Sequence, residues 1–435
     1  MKRTSVAACV AAGMVLAAAF SAEAAPLARL TVSAGKSDRI ESVVCASLDG
    51  IVLPASVRLE EVTADGRNAV PCQVEACKPA RLWFVLSGKT PAGAKRTFEL
   101  AAGEGAKAGG GVEVKKDDAV LDILCAGKKV MQYHHAPVAP PEGVDKSYTR
   151  SAYIHPLWSP GGILMTEDFP KDHYHHKGIW NPWTHTRFEG VDVDFWNLRA
   201  QQGTVRFVDF VSTTSGAVFG GFVARHDHVV LPGAFKPKPA KKGQKAPPAP
   251  PEPAGGYKEK VALNETWDVR VWNVGQAGKE LWLFDIVSTQ KAASSSPLEL
   301  LKYHYGGMGY RGAAEWKGKD ASVLTSEGAA RGKTNATRVR WCDSAGATDG
   351  KWSGLVMMSH PSNFRFPEPI RTWDGANQNL FCCFAPEQLG DFAIEPGKDY
   401  VFRYRFYAHE GKVDPAVADR LWNDFADPPA VEVSK

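Results

Sequence analysis

The sequence predicts an all-β protein with a large antiparallel β architecture, a small N-terminal β-sandwich module and one C-terminal helix. Short runs rich in Val, Phe, Trp and Thr alternate apolar with polar residues, which is typical of strands. Gly, Asn and Asp separate these runs, as expected for turns. Helical periodicity appears only near the C-terminus. We therefore expect more than about a third of the mature residues in strands and under about 15% in helices.

The N-terminal residues 1–24 are predicted to be a signal peptide. Residues 1–3 are basic, residues 6–20 form an almost unbroken apolar run, and residues 22–24 supply the small-x-small pattern that a signal peptidase reads. The apolar run is too short for a membrane-spanning helix, which needs about 20 residues, and no later run is longer. We therefore expect a periplasmic or secreted protein without a membrane span.

Changes in composition along residues 25–435 predict two domains and one insert. Residues 25–110 are predicted to form the N-terminal β module, which ends in the Gly-rich stretch 103–111. Residues 111–435 are predicted to form the main domain, interrupted by a disordered Pro/Lys-rich insert at 232–256. The strand-like runs are at 40–44, 57–62, 82–86, 112–115, 119–124, 203–211, 218–223, 258–272, 280–287, 354–359 and 400–407.

One helix is predicted near residues 414–425. Asp414 is a good N-cap, and Pro415 suits the first helical position because its missing N–H would have no partner there. The apolar residues that share one face are Val417, Leu421, Trp422 and Phe425. We expect this face to pack across the sheet as a C-terminal clasp.

Charge and cysteine content narrow the class of protein. The 52 basic and 48 acidic residues nearly balance, and no basic block is interleaved with aromatic residues, so nucleic acid is not an expected partner. Cys72 and Cys77 have a spacing that a disulfide could use. The adjacent Cys382 and Cys383 would point to opposite faces of a strand, which argues against a bond between them. The overall pairing stays open.

Residues 155–196 hold the densest group of chemistry-bearing side chains. Seven of the twelve histidines lie between residues 134 and 185, and four tryptophans are interleaved with this region. Its centre is Asp172-His173-Tyr174-His175-His176-Lys177-Gly178. Imidazole titrates nearest neutrality and is the commonest metal ligand. We interpret His173, His175 and His176 as acid–base groups; a metal site and a polar structural turn are the alternatives.

The backbone conformation decides between these interpretations. If the segment is extended, His173 and His175 share a face and His176 points away from them. Such an arrangement does not place three imidazoles around one zinc or copper ion, so no cofactor is predicted. A transition metal held by His173, His175 and His176 remains the alternative.

A second cluster lies at residues 303–311, Tyr-His-Tyr-Gly-Gly-Met-Gly-Tyr-Arg. Its glycines let the backbone approach a ligand closely, although a glycine-permitted turn at a sheet corner is the alternative. Tyr305 is the predicted catalytic residue here, with His304 and Arg311 as substrate-binding residues. We expect His173, His175 and His176 to converge with Tyr305 and Arg311 in one pocket.

Other polar residues are candidates of lower specificity. Two carboxylate pairs could serve a glycosidase, namely Glu265 with Asp268 and Glu368 with Asp374. Arg225-His226-Asp227-His228 is interpreted as a solvated strand face. The remaining predicted substrate-binding residues are His155, Asp172, Lys177, Trp180, Trp183 and Arg187.

These motifs resemble the PmoA-like proteins of unknown function. The resemblance rests on residues 155–162 (HPLWSPGG), on Asp-His-x-His-His-Lys-Gly at 172–178, on residues 305–311 and on Phe-Pro-Glu-Pro at 366–369; it covers roughly residues 111–425. It implies an exported bacterial protein of polysaccharide-utilisation loci, with a β super-sandwich related to galactose mutarotase and certain lyases. The family label "methane oxygenase" is a misnomer, because such a subunit would need membrane spans.

The resemblance and the residues together predict a carbohydrate-active protein that acts on oligosaccharides or polysaccharides. His and Tyr would move protons in hydrolysis or elimination, and Trp would stack on a pyranose ring. An anionic substrate is expected because Arg binds carboxylate or sulfate with two parallel hydrogen bonds. The basic residues beside the motifs are Lys177, Arg187, Arg311, Arg365 and Arg371. The alternatives are a non-catalytic glycan-binding protein and a His-ligated copper or zinc enzyme.

Overall fold

The computed structural model describes residues 25–106, 109–235, 256–275, 281–373, 375 and 377–435. The predicted signal peptide, most of the 232–256 insert and Asp374 lie outside these residues. Half of the described residues, 50%, are in strands, and 8% are helical. The prediction of an all-β protein with one C-terminal helix is therefore confirmed.

The strands come in three groups along the described chain. The first comprises β1 Ala28–Ser33, β2 Arg39–Ser47, β3 Val57–Thr63, β4 Gly66–Val70, β5 Cys72–Glu75, β6 Arg81–Thr90 and β7 Lys95–Ala102. The second comprises β8 Val112–Lys116, β9 Val120–Cys125, β10 Lys128–His134, β11 Tyr153–Leu157, β12 Ile179–Trp180, β13 Thr186–Phe188 and β14 Val191–Val193. The third comprises β15 Gly203–Thr214, β16 Phe219–Val230, β17 Lys260–Trp272, β18 Trp282–Ala292, β19 Leu298–Leu300, β20 Gly309–Arg311, β21 Ala321–Thr325, β22 Trp341–Thr348, β23 Lys351–Ser359, β24 Ile370–Thr372, β25 Phe381–Phe384, β26 Phe392–Ile394, β27 Tyr400–Glu410 and β28 Ala430–Ser434.

Helical structure in the described residues is short apart from one helix. Single 3-10 turns occur at Lys146–Tyr148, Leu198–Ala200, Pro232–Phe235, Gly318–Asp320 and Pro386–Leu389. The one α-helix, α1, spans Pro415–Ala426. No helix in the described part of the chain is long and apolar enough to cross a membrane.

The N-terminal strands form a small sandwich of two sheets. One has the order β28-β1-β7-β3-β4 and the other β2-β6-β5. Alternation along each strand turns residues such as Leu30, Phe84 and Leu100 into a shared core. The C-terminal strand β28 pairs antiparallel with β1, so residues 430–434 lie in this sheet. The domain boundaries themselves stay a prediction.

Two eight-stranded antiparallel sheets form the larger part of the fold. Their orders are β24-β25-β20-β12-β11-β10-β9-β8 and β15-β16-β17-β18-β27-β23-β22-β21. Residues of both sheets, among them Tyr133, Tyr310, Trp267 and Phe284, are at most 1% exposed and belong to one apolar core. A four-stranded sheet, β14-β13-β19-β26, completes this part. The arrangement is a large β-sandwich.

A short ladder brings distant segments together. Strand β12 pairs with β20 through Ile179 and Tyr310, and β20 pairs with β25 through Tyr310 and Cys382. The histidine-rich segment ends where β12 begins, and the 303–308 segment ends where β20 begins. Strand β24 pairs with β25 and adds Arg371. Three segments far apart in sequence therefore meet at one place.

Helix α1 joins the two parts of the structure. The carboxylate of Asp414 accepts a hydrogen bond from the Ala416 N–H at 3.0 Å, as expected of an N-cap. Leu421 is 4% exposed, and its cluster contains Trp341 of the large sandwich and Trp83 of the small one. The predicted apolar face is thus the contact face.

The two cysteine pairs considered from the sequence are not bridged. Cys72 and Cys77 form no disulfide. Cys72 packs against the core of the small sandwich, and the thiol of Cys77 donates to the backbone carbonyl of Pro79 at 3.0 Å. Cys382 and Cys383 lie in different apolar clusters on opposite faces of β25, as strand geometry predicts.

Replacement of Asp424 by Ala should destabilise the protein. Asp424 accepts hydrogen bonds from Arg39 at 2.8 Å and Ser42 at 2.7 Å, and Arg39 is 1% exposed. Removing one partner of a buried ion pair costs about 3–5 kcal/mol, because a charge is left buried and unpaired. Urea unfolding measures this loss. Asp427 also lies within ion-pair distance of Arg39, at 3.9 Å, but its side chain is 75% exposed. Asp427→Ala is therefore the control for an exposed partner of the same arginine and should cost under about 1 kcal/mol; equal effects would contradict the clasp role.

Candidate active site

The three converging segments enclose a cavity beside the β12–β20 ladder. Its volume is about 260 Å³, and its walls are His173, His175, His176, Trp196, Asn197, His304, Tyr305, Arg371, Trp373 and Phe381. The three predicted catalytic histidines therefore line one cavity together with Tyr305 and His304. Their role in catalysis stays a prediction.

Tight turns gather the histidines. The N–H of His173 donates to Pro170 O at 2.9 Å, and the N–H of His176 donates to His173 O at 2.8 Å. The segment is thus not extended, and His176 does not point away from its neighbours. The ring centroids are 5.4 Å apart for His173 and His175, 5.0 Å for His173 and His176, and 4.8 Å for His175 and His176.

Burial determines the charge of two of the three imidazoles, His175 and His176. His176 is 2% exposed, and its ring lies 4.8 Å from Phe381 and 5.0 Å from Trp373. Burial lowers the pKa of His176 well below its ordinary value, because the cation would lose its hydration. Burial and the neighbouring His173 lower the pKa of His175 to about 3. Both rings are neutral at pH 7.

His173 is partly exposed and has a carboxylate beside it. Its side chain is 38% exposed, and its Nδ1 lies 3.3 Å from Oδ2 of Asp172. Such a carboxylate stabilises the imidazolium that forms when the other ring nitrogen takes up a proton. Burial raises the pKa of Asp172, but the charge of Arg311 outweighs it and holds the pKa below its usual value. His173 and Asp172 together form a unit that can accept a proton.

Tyr305 is held by an amide. Nδ2 of Asn197 donates to the Tyr305 hydroxyl oxygen at 2.9 Å and to Oδ2 of Asp194 at 2.7 Å. Burial raises the pKa of Tyr305 above its ordinary value, so it remains a phenol at neutral pH. A phenol in this position can donate a proton.

Arg371 supplies the positive charge of the cavity wall. It forms no ion pair or side-chain hydrogen bond with any described residue, and its Nε is buried without a partner. The sequence motifs indicate Arg371 only as a basic residue beside the site, and they give no prediction for Trp373, Phe381 or Asn197. Arg371 and Trp373 are two positions apart at strand β24, so strand alternation could have placed them on one face.

Arg311 is near the site but outside the cavity wall, contrary to expectation. It is 1% exposed, its Nε donates to Glu167 at 3.1 Å, and its Nη2 donates to both oxygens of Asp172 at 2.9 and 3.1 Å. The guanidinium is therefore occupied by two carboxylates. Its Nη1 has no hydrogen-bond partner but is buried, so Arg311 with Asp172 anchors the histidine segment and does not present a donor to a ligand in the cavity.

Lys177 points into the protein, not toward a ligand. It is 0% exposed, and its Nζ donates to Asp168 at 2.8 Å and lies 2.9 Å from the ring centre of Phe169. Tyr153 donates to the other oxygen of Asp168 at 2.8 Å. Burial lowers the pKa of Lys177 to about 7. These buried contacts hold the C-terminal end of the histidine segment in place.

Four further predicted substrate-binding residues also lie outside the cavity wall. Trp180 is fully buried beneath it, and Trp183 donates to Gln290 at 2.7 Å inside the large core, so neither offers a free face for stacking. His155 pairs with Thr166 at 2.9 Å, and burial lowers its pKa to about 4. Arg187 pairs with Asp192 at 3.0 Å in the four-stranded sheet.

The carboxylate pairs predicted for a glycosidase do not line the cavity. Glu265 is buried in the large core, and Asp268 pairs with Arg270 at 2.8 Å. Glu368 accepts hydrogen bonds from Ser359, Asn363 and Tyr404 in the core. Asp374 lies outside the described residues. The described wall of the cavity contains no carboxylate.

The 225–228 segment is not a solvated strand face. His226 and His228 are at most 1% exposed, and Nε2 of His228 lies 3.0 Å from Glu265. Nε2 of His226 lies 2.6 Å from the Tyr133 hydroxyl. Only the alternate residues, Arg225 and Asp227, face outward. Within the described residues, no three His, Cys, Asp or Glu side chains are arranged to hold a metal ion.

The stability of the protein should fall on acidification because of His175. Its folded pKa of about 3 lies below the unfolded value near 6.5, so unfolding takes up a proton between these values and stability is lost as pH falls below 6.5. For this group alone the loss from pH 7 to 4.5 is about 2–3 kcal/mol. Urea unfolding of His175→Gln at both pH values should show a pH dependence smaller by that amount. His185→Gln, an exposed histidine outside the cavity, should keep the parent's pH dependence; identical slopes for both variants would contradict the burial of His175.

Comparison with known proteins gives a family and two distant structures. A family model described as "Family of unknown function (DUF6807)" matches residues 120–423. No curated protein matches. Among solved structures, the chain is similar to a mutant of heparan sulfate lyase HepC from Pedobacter heparinus, with 8% identity and a TM-score of 0.33 over 72% of this chain and 38% of that one. The HepC structure without the mutation gives 8% identity and a TM-score of 0.30 over 71% of this chain and 36% of that one.

This chain thus spans less than two-fifths of the length of the HepC structures, and at these TM-scores the likeness supports no conclusion about activity. The family match is different in kind, because it covers most of the sequence, including the histidine segment and the cavity wall. The chain belongs to the family of unknown function DUF6807.

Proposed function

We propose that the protein is an exported carbohydrate-active enzyme that cleaves uronate-containing oligosaccharides by elimination. The observation that carries this proposal is the cavity wall. It combines His173, whose Nδ1 lies 3.3 Å from Asp172, with the phenol of Tyr305, three aromatic rings and the guanidinium of Arg371, which has no partner among the described residues. Export and kinship with the PmoA-like proteins belong to the proposal and rest on the sequence alone.

Arg371 is assigned to the substrate carboxylate. A planar guanidinium binds a carboxylate through two parallel hydrogen bonds, and a neutral hydroxyl cannot match this geometry. The described wall has no carboxylate that would compete for Arg371. Trp373, which lies beside it, offers an aromatic surface for the apolar face of a pyranose ring.

His173 is assigned as the base and Tyr305 as the acid. The free ring nitrogen of His173 takes the proton from C5 of the uronate, next to the carboxylate that Arg371 holds. The electron pair of that C–H bond forms the C4–C5 double bond, and the C4–O glycosidic bond breaks. Tyr305 gives its phenolic proton to the leaving oxygen. Asp172 stabilises the imidazolium that results.

The wall favours elimination over hydrolysis. Hydrolysis of glycosides typically uses two carboxyl groups that flank the scissile bond. Glu265 and Glu368 are enclosed in the core, and no described carboxylate lines the cavity. Elimination needs only a base, an acid and a group that neutralises the uronate, and the wall supplies all three.

Tyr305→Phe should abolish most turnover without abolishing binding. Loss of a general acid lowers kcat by about 10²–10⁴-fold, while the ring that fills the wall remains. The assay is the ultraviolet absorbance of the unsaturated product on a panel of uronate oligosaccharides, with mass spectrometry of the fragments. Elimination conserves the summed mass of the fragments, and hydrolysis adds one water. Binding of the panel by the parent without any product would make the protein a glycan-binding protein instead.

Arg371→Ala should weaken recognition of a uronate substrate by about 2–5 kcal/mol and leave a carboxyl-reduced analogue unaffected. Calorimetric binding to the Tyr305→Phe protein measures both ligands without turnover. Arg187→Ala is the matched control, because Arg187 is half-exposed, pairs with Asp192 and lies outside the cavity wall. Equal loss with Arg187→Ala, or equal affinity for both ligands in the parent, would refute the assignment of Arg371.

A further inference from the structure

A second cavity lies next to the histidine cavity and has no role in the chemistry above. Its volume is about 340 Å³, and its walls include His135, Ser147, Thr149, Gln201, Arg206 and Phe207. Hydroxyl, amide and imidazole groups thus surround an aromatic ring. This mixture of hydrogen-bonding groups and apolar surface is typical of a ligand site.

Two contacts connect the cavities. Asn197 lines the histidine cavity, and its neighbour Leu198 lines the second one. Tyr174 of the histidine segment contacts Tyr148, with ring centroids 5.6 Å apart. In the sequence, Tyr148 stands between Ser147 and Thr149, which both line the second cavity. Both tyrosine side chains are half-buried. The pair, called here the tyrosine ridge, thus joins the two chain segments that contribute wall residues to the two cavities.

The charges of the second wall suit an anionic chain. No carboxylate lines it among the described residues. Arg150 lies in the wall, is 2% exposed and has no carboxylate within ion-pair distance in the described chain; its one side-chain hydrogen bond goes to Phe195 O at 3.4 Å. The Nε and Nη2 atoms of Arg150 are inaccessible, so this charge acts through its field rather than by contact. Arg206 is already paired with Glu259 at 2.6 Å.

The volumes of the two cavities also favour a ligand that occupies both. Ligand pockets typically have volumes of about 300–1,000 Å³, and the histidine cavity of about 260 Å³ lies below that range. The two cavities together fall within it. The contact between Tyr148 and Tyr174 offers a ligand that fills both cavities an aromatic surface on which a sugar ring can rest.

We propose that the second cavity is a binding subsite for the same anionic oligosaccharide, so that the substrate spans both cavities across the tyrosine ridge. This inference rests on the proposed function for the identity of the ligand. It makes the protein selective for chains longer than a disaccharide, because a disaccharide in the histidine cavity does not reach the second wall.

The test compares a diuronate with a hexauronate by calorimetry on the full chain carrying Tyr305→Phe, which prevents turnover. Thr149→Trp fills the second cavity, and should weaken hexauronate binding about tenfold while the diuronate Kd stays within about twofold. Thr213→Trp adds the same bulk on an exposed strand position outside both cavities and should change neither Kd. Tyr148→Ala adds no bulk and should also weaken the hexauronate selectively.

The inference is overturned if the hexauronate binds no tighter than the diuronate, or if Thr149→Trp and Tyr148→Ala both fold with the parent's melting temperature and bind the hexauronate unchanged. The same measurements distinguish a failure of the subsite inference from a failure of the proposed elimination reaction. Length-selective binding without unsaturated product would leave the subsite standing and refute the reaction. Unsaturated product formed equally well from both lengths would leave the reaction standing and refute the subsite.

Discussion

The ion pairs that the buried guanidinium of Arg311 forms with two carboxylates are the interaction on which the site depends. Arg311 leaves strand β20 and binds Glu167 and Asp172, which flank the start of the histidine segment. A buried charge must be paired, so this segment has little freedom to move away from the sheet. The turns at His173 and His176, which bring the cavity's histidines together, lie directly beside that anchor in the sequence. Arg311 positions the site without facing the substrate.

Burial then determines the chemistry of the side chains around the cavity. The aromatic walls keep water from His175 and His176, and both pKa values fall because the imidazolium cannot be solvated. The same loss of water raises the pKa of Tyr305. His175, His176 and Tyr305 are therefore neutral at pH 7.

A buried polar network and a functional site look alike in sequence, and the core provides the contrast. Glu265 accepts hydrogen bonds from Asn181 at 2.7 Å and Trp267 at 2.8 Å, with His226 and His228 on its other oxygen. The acceptors of Glu265 are thus fully satisfied by protein donors, which is the mark of a structural network. Arg371, by contrast, has no described partner and lines a cavity.

The sequence by itself determined many of the longer strands, the helix with its Asp414 cap, and the clustering of the histidines at residues 173–176, because alternation, capping and local composition are encoded by neighbouring residues. It also pointed to Tyr305. Only the tertiary structure decided that Arg371 rather than Arg311 faces the cavity, and that Trp180 and Lys177 point inward. The direction of a side chain depends on which strands pair and what they bury. Pairings such as β12 with β20 join segments more than a hundred residues apart, and no local pattern encodes them.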